Sequence, residues 1–132
     1  MAIAWNDLMS TGVDEVDDQH KELISMVNAL SETMRSGKGK DEIQKILVFA
    51  EEYAQKHFAC EERYFEQYQC PAAPQNKAGH EQFIMRFREL MQEFHEQGSS
   101  FALVMKIYNE FSNWLVQHIL SVDIKLRASV RQ

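Results

Sequence analysis

Cysteine, positive charge and long apolar runs are all scarce in this chain, and each shortage removes a class of function. Only two cysteines occur, Cys60 and Cys70, too few for a disulfide scaffold and without a Cys-x-x-Cys pair. In a reducing compartment both stay thiols. Cys60 lies next to Glu61 in sequence but about 100° away around a helix, so it reads as a small buried apolar residue rather than a metal ligand. Lys plus Arg number 14 against 20 for Asp plus Glu, a net charge of -6. That balance argues against nucleic-acid and anionic-membrane partners, which require clustered positive charge. No apolar run exceeds the length of Phe101-Ala102-Leu103-Val104-Met105, so no transmembrane span is expected. The first residues carry no basic stretch followed by an apolar one, and a cytoplasmic location is the expectation. A strand-like alternation is missing as well.

What is present is a helical rhythm. The 132 residues suit one domain with a real core. Residues 1–16 show no helical period but contain Trp5, Leu8 and Val13, which predicts an ordered arm packed on the domain. A first helix over about 18–36, with Asp17 or Asp18 as N-cap, places Leu23, Ile24, Val27, Leu30 and Met34 on one stripe. The stretch from Ser36 to Lys40 ends it. Asp41 is the expected cap of a second helix, 41–68, whose stripe runs through Ile43, Leu47, Ala50, Ala54, His57, Glu61 and Phe65. The breaker at Cys70–Pro74 precedes a third helix over 75–97, with Pro74 suited to its first turn and Gly98 closing it. Ser99 or Ser100 caps a fourth, 101–128. Four amphipathic helices joined by short loops predict an all-α fold, an antiparallel up-down-up-down four-helix bundle with an N-terminal arm.

The histidines then fall into a pattern. His20, His57, His80 and His118 sit one per helix in the core register. His20 and His80 lie near helix starts, His57 and His118 in later halves, so this topology brings all four to one end of the bundle. His57 and Glu61, four residues apart, lie within about 40° of each other on one helical face. Asp123 follows His118 by five residues, about 140° off its face; it points inward only if the helix is loosened locally, for instance by a π-type turn. Four imidazoles with two carboxylates make a ligand set for two divalent metals with the carboxylates bridging. Iron, manganese and zinc all suit such donors. Buried carboxylates without a cation would be costly, which the metal also explains. His95, 15 residues beyond His80, is about 22 Å along the helix and outside this group; a surface histidine near a helix C-terminus is sufficient explanation.

These motifs resemble those of the hemerythrin family, in its single-domain bacterial form, over nearly the whole chain. Gly12-Val13 with Asp17-Asp18-Gln19-His20-Lys21-Glu22-Leu23 resembles the family's first-helix signature. His57-Phe58-Ala59-Cys60-Glu61-Glu62 resembles its H-F-x-x-E-E, and His118 to Asp123 its H-I-x-x-x-D. The resemblance implies a non-haem centre of two iron ions that binds O2 or a similar small gas reversibly. It implies that His20 and His57 hold the iron that takes O2, that His80 and His118 hold the other, and that Glu61 and Asp123 bridge them. An apolar pocket of Leu23, Phe58, Trp114, Leu115 and Ile119 is implied too, and no catalytic residue.

One position departs from the family pattern. Where the third helix usually reads H-x-x-x-H, this chain has Asn76-Lys77-Ala78-Gly79-His80. An amide oxygen is a poorer iron donor than imidazole, so one expectation is a weakened second site, down to a single iron ion. Another is an open coordination position at Asn76, which suits a redox enzyme acting on O2, peroxide or nitric oxide. Tyr53 and Tyr108 are the polar candidates such an enzyme has on its inner stripes. A third reading is a bundle with one metal or none, kept for interaction or redox sensing. Gly79 in the same turn costs roughly 1 kcal/mol of helix propensity relative to Ala. An O2 binder for storage, delivery or sensing is the leading expectation; the protein partner that sensing would need is not specified by the sequence.

Overall fold

A computed structural model describes residues 3–98 and 100–131. Four long helices, α1 (Asp14–Arg35), α2 (Lys40–Gln67), α3 (Ala73–Gln97) and α4 (Phe101–Ser121), are followed by a 3-10 turn at Asp123–Lys125 and a short α5 (Leu126–Val130). Each long helix packs on its sequence neighbour, and α4 returns to α1. The result is the four-helix bundle that the 3.6-residue apolar period implies. No helix among the described residues is long and apolar enough to cross a membrane.

The helix ends differ from the sequence expectation in instructive ways. Helix α1 starts at Asp14, with Val13 as a cap that makes no side-chain bond. Asp17 is not the cap: its buried carboxylate accepts the Thr11 backbone N–H and hydroxyl, both at 2.8 Å, and the Ser10 hydroxyl at 2.9 Å. Nor does Asp18, within the same helix, cap it. Asp14, Glu15 and Asp17 in the first turn suit the helix dipole without a cap. Asp41 lies inside the first turn of α2, where extended Gly39 is the boundary residue. Pro74 does occupy the first turn of α3. Ser100 caps α4 by accepting from the Leu103 N–H; the other expected cap, Ser99, lies outside the described residues.

The arm is tied down at several points. Asn28 exchanges two 2.9 Å hydrogen bonds with the backbone of Ile3. The Lys21 ammonium sits over the Trp5 ring, and the Arg127 guanidinium donates to the carbonyls of Asp7, Leu8 and Ser10. Gly12, at φ +83°, packs against the Arg127 backbone, so the arm turns directly onto α5.

Three apolar clusters stack along the bundle. One contains Leu30, Leu47, Phe87, Leu90, Phe94 and Ile107, the next Leu23, Ala54, Phe58, Leu115 and Ile119. The third, Val13, Val16, Phe65, Ala72 and Leu126, closes the end where the arm and α5 meet. Between the second and third lies a layer of buried polar side chains.

Candidate metal centre

Every long helix contributes to that layer. His20 comes from α1, His57 and Glu61 from α2, Asn76 and His80 from α3, and His118 from α4. Asp123 comes from the turn after α4. All seven are buried, His118 the least so at 8% exposure. Asp123 reaches inward because α4 stops at Ser121; Val122 leaves the helical region at φ -120°, ψ -56°, and the chain continues as a 3-10 turn. The loosening that its spacing demands is therefore a break into a 3-10 turn, not a π-type turn, and the fourth helix does not run unbroken to 128.

The four imidazoles all present Nε2 to the two carboxylates. Glu61 Oε2 lies 2.8 Å from His20 Nε2 and 3.3 Å from His57 Nε2, whereas Oε1 lies 2.9 Å from His80 Nε2. Asp123 divides in the same sense, with Oδ2 3.1 Å from His20 Nε2 and Oδ1 3.1 Å from His118 Nε2. One oxygen of each carboxylate thus faces the α1–α2 side, and the other faces the α3–α4 side. His20, His57 and Glu61 form one group of mutually close donor atoms; Glu61, His80, His118 and Asp123 form the second. Cys60, buried with a free thiol, belongs to neither group. His95 is exposed near the end of α3.

Asn76 reaches the same oxygens. Its Nδ2 donates to Glu61 Oε1 at 2.7 Å and to Asp123 Oδ1 at 3.0 Å, while its own Oδ1 is buried without a partner. Two outer nitrogens are braced from neighbouring helices. The Nδ1 of His57 is 2.7 Å from Gln19 Oε1, and that of His80 is 2.9 Å from Glu62 Oε2. Both braces fall inside the quoted motifs, Gln19 before His20 and Glu62 after Glu61, but the sequence gives neither a role of its own. Such outer partners fix the tautomer and ring orientation of a metal-binding imidazole.

The electrostatics show how much positive charge this layer requires. Burial disfavours a charge on His20, yet the Asp123 and Glu61 carboxylates push its pKa up to about 10. For Glu61, burial favours the neutral acid, but the imidazoles of His57, His20 and His80 hold its pKa well below the usual carboxylate range. Burial lowers the pKa of His57. Among the described residues neither carboxylate has a Lys or Arg partner.

Two fully desolvated carboxylates facing four inward nitrogens fit a pair of divalent cations. The Oδ1 of Asn76, buried without a hydrogen-bond partner, fits them too, because a metal would give this atom a partner. Next to the layer lies an apolar cavity of about 40 Å³ whose walls include Leu23, Phe58, Trp114 and Leu115. Ile119, fully buried, packs in the same cluster without reaching the cavity wall. Tyr108 packs in the distant cluster, and Tyr53 flanks the central one.

A four-helix bundle whose imidazoles and carboxylates converge in one buried layer defines a class, the carboxylate-bridged two-metal bundle proteins. The comparisons place the chain within that class. Residues 11–126 match the hemerythrin HHE cation binding domain. Bacteriohemerythrin of Pseudomonas paraeruginosa is 30% identical over 129 residues, covering 98% of this chain and 82% of that protein. Bacteriohemerythrin of Methylococcus capsulatus is 33% identical over 114 residues, 86% of this chain and 84% of that protein. A crystal structure of wild-type hemerythrin superposes with a TM-score of 0.86 at 27% identity, with both chains fully covered. The chain belongs to the hemerythrin family, whose cofactor is a non-haem di-iron centre and whose function is of the oxygen-binding type.

Proposed function

We propose that this protein binds O2 reversibly, for storage, delivery or sensing, at two iron ions held by six side chains. In this reading His20 and His57 hold one ion and His80 and His118 the other, with Glu61 and Asp123 bridging. The observation that carries it is the division of both carboxylates, one oxygen toward each pair of imidazoles. Ferrous iron supplies the electrons that hold O2 when bound. The chain's own residues position the ions and keep water and protons away. The cavity beside Leu23 and Phe58 does the excluding, since its wall is entirely apolar, with no titratable group to deliver a proton. A dry wall of this kind limits proton leakage and side reactions with water at the neighbouring site.

The alternative, a redox enzyme acting on O2, peroxide or nitric oxide through an open position at Asn76, has less in its favour. Asn76 is fully buried and its amide fills the space between Glu61 and Asp123. Asn76 is better read as a weak ligand, or as a donor that restrains the bridges. The test is optical. Protein reduced without oxygen is exposed to air and then returned to argon. A visible-range change that reverses over repeated cycles supports a binder; direct conversion to the fully oxidised spectrum supports the enzyme.

A further inference from the structure

We propose that Gly79 is a positioning residue for His118. Its missing side chain leaves the slot on α3 into which that imidazole fits. The inference rests on the reading of His118 as an iron ligand. His57 and His80 have their outer nitrogens braced by Gln19 and Glu62, but among the described residues no hydrogen bond reaches the Nδ1 of His118. Shape holds this ring instead. One face stacks on Trp114, with centroids 4.5 Å apart and planes 12° from parallel, and Trp114 is backed by Phe83 at 4.5 Å. On the α3 side, a Cβ at Gly79 would lie 2.5 Å from Cε1 and 2.8 Å from Nδ1 of His118. Those separations are far inside van der Waals contact. With Trp114 on one face and Asp123 at 3.1 Å from Nε2, a methyl group there either drives the ring from its place beside Asp123 or moves the α3 turn that also holds His80.

Nothing else about Gly79 calls for glycine. Its φ is not positive, and glycine inside a helix is a weak helix former. The residue that supplies the slot immediately precedes His80, so one turn of α3 would set both imidazoles of the second ion.

The two roles give opposite signs under Gly79→Ala. If Gly79 only weakens the helix, alanine stabilises the protein and leaves the iron alone. If it positions His118, iron per chain falls from two toward one, and the remaining ion on that side leaves at least tenfold faster to a chelator. Ala78→Gly, at the exposed neighbouring position, weakens the same turn without touching His118 and calibrates any general folding effect. Faster iron loss in Gly79→Ala than in Ala78→Gly, with the metal-free thermal midpoints measured in parallel, is the expected result. Equal or slower loss overturns the inference. His118→Ala separates the ligand reading from the positioning role. Should it keep both iron ions, the ligand reading fails and takes the inference with it. Should it lose iron while Gly79→Ala does not, the inference alone fails.

Discussion

At the scale of single residues, Asn76 is the position proposed to set how firmly the α3–α4 side of the centre holds a metal. Its amide donates to both carboxylates, so it restrains the proposed bridges, but as a donor to iron it is inferior to imidazole. Asn76→His is therefore expected to slow iron loss to a chelator and to slow autoxidation in air. If neither property moves, Asn76 lies beyond the reach of the metal. The braces Gln19 and Glu62 act at the same scale. Gln19→Ala and Glu62→Ala should each lower metal affinity by roughly 10- to 100-fold while leaving the helical content intact; unchanged affinity would show that His57 and His80 are oriented by packing alone. The ligand candidates other than Asp123 were legible in the sequence because the 3.6-residue period puts them on inner stripes. The bracing role of Gln19 and Glu62 was not, although both stand in the motifs, since a side chain that bonds the back of a ligand on another helix leaves no periodic trace. Gly79 was legible only as a weak point in a helix, because the ring that needs its space comes from 39 residues further on.

At the scale of elements, the helices follow from apolar periodicity, whereas their ends depend on tertiary contacts. Asp17 has the residue type and position of an N-cap, yet its carboxylate turns back to hold Thr11 and Ser10. Asp17→Ala removes three hydrogen bonds to a buried carboxylate and should destabilise the protein by about 3 kcal/mol, read as a lower denaturant midpoint. Its iron content at low temperature should remain that of the wild type, since among the described residues the side-chain hydrogen bonds of Asp17 go to the arm and not to the metal layer. Loss of iron from the folded variant would instead make the arm part of the centre. The end of α4 has a comparable lesson. Leu126 continues the burial after Val122, and the apolar pattern alone does not reveal that the chain breaks there. The break was implied only by Asp123, whose spacing from His118 fits no regular helix.

At the scale of the whole molecule, the bundle confines two carboxylates in a layer that needs cations. Without metal, protons supply part of that charge. The pKa of His20 stands at about 10, above its ordinary 6.5, so its stabilising contribution is complete below pH 6.5 and disappears as the pH rises through 10. The thermal midpoint of metal-free protein should accordingly fall across that range, and fall less in the iron-loaded protein, where the metal takes the place of the proton. A midpoint that stays level or rises in the metal-free protein would contradict the pairing of His20 with Glu61 and Asp123.

In the proposed centre both carboxylates bridge two iron ions within one chain. Iron analysis of the purified, air-oxidised protein combined with electron paramagnetic resonance tests it most directly. Two iron ions per chain and no signal are expected, because bridged ferric ions couple to a diamagnetic ground state. One iron ion per chain with the signal of an isolated high-spin ferric ion would contradict it.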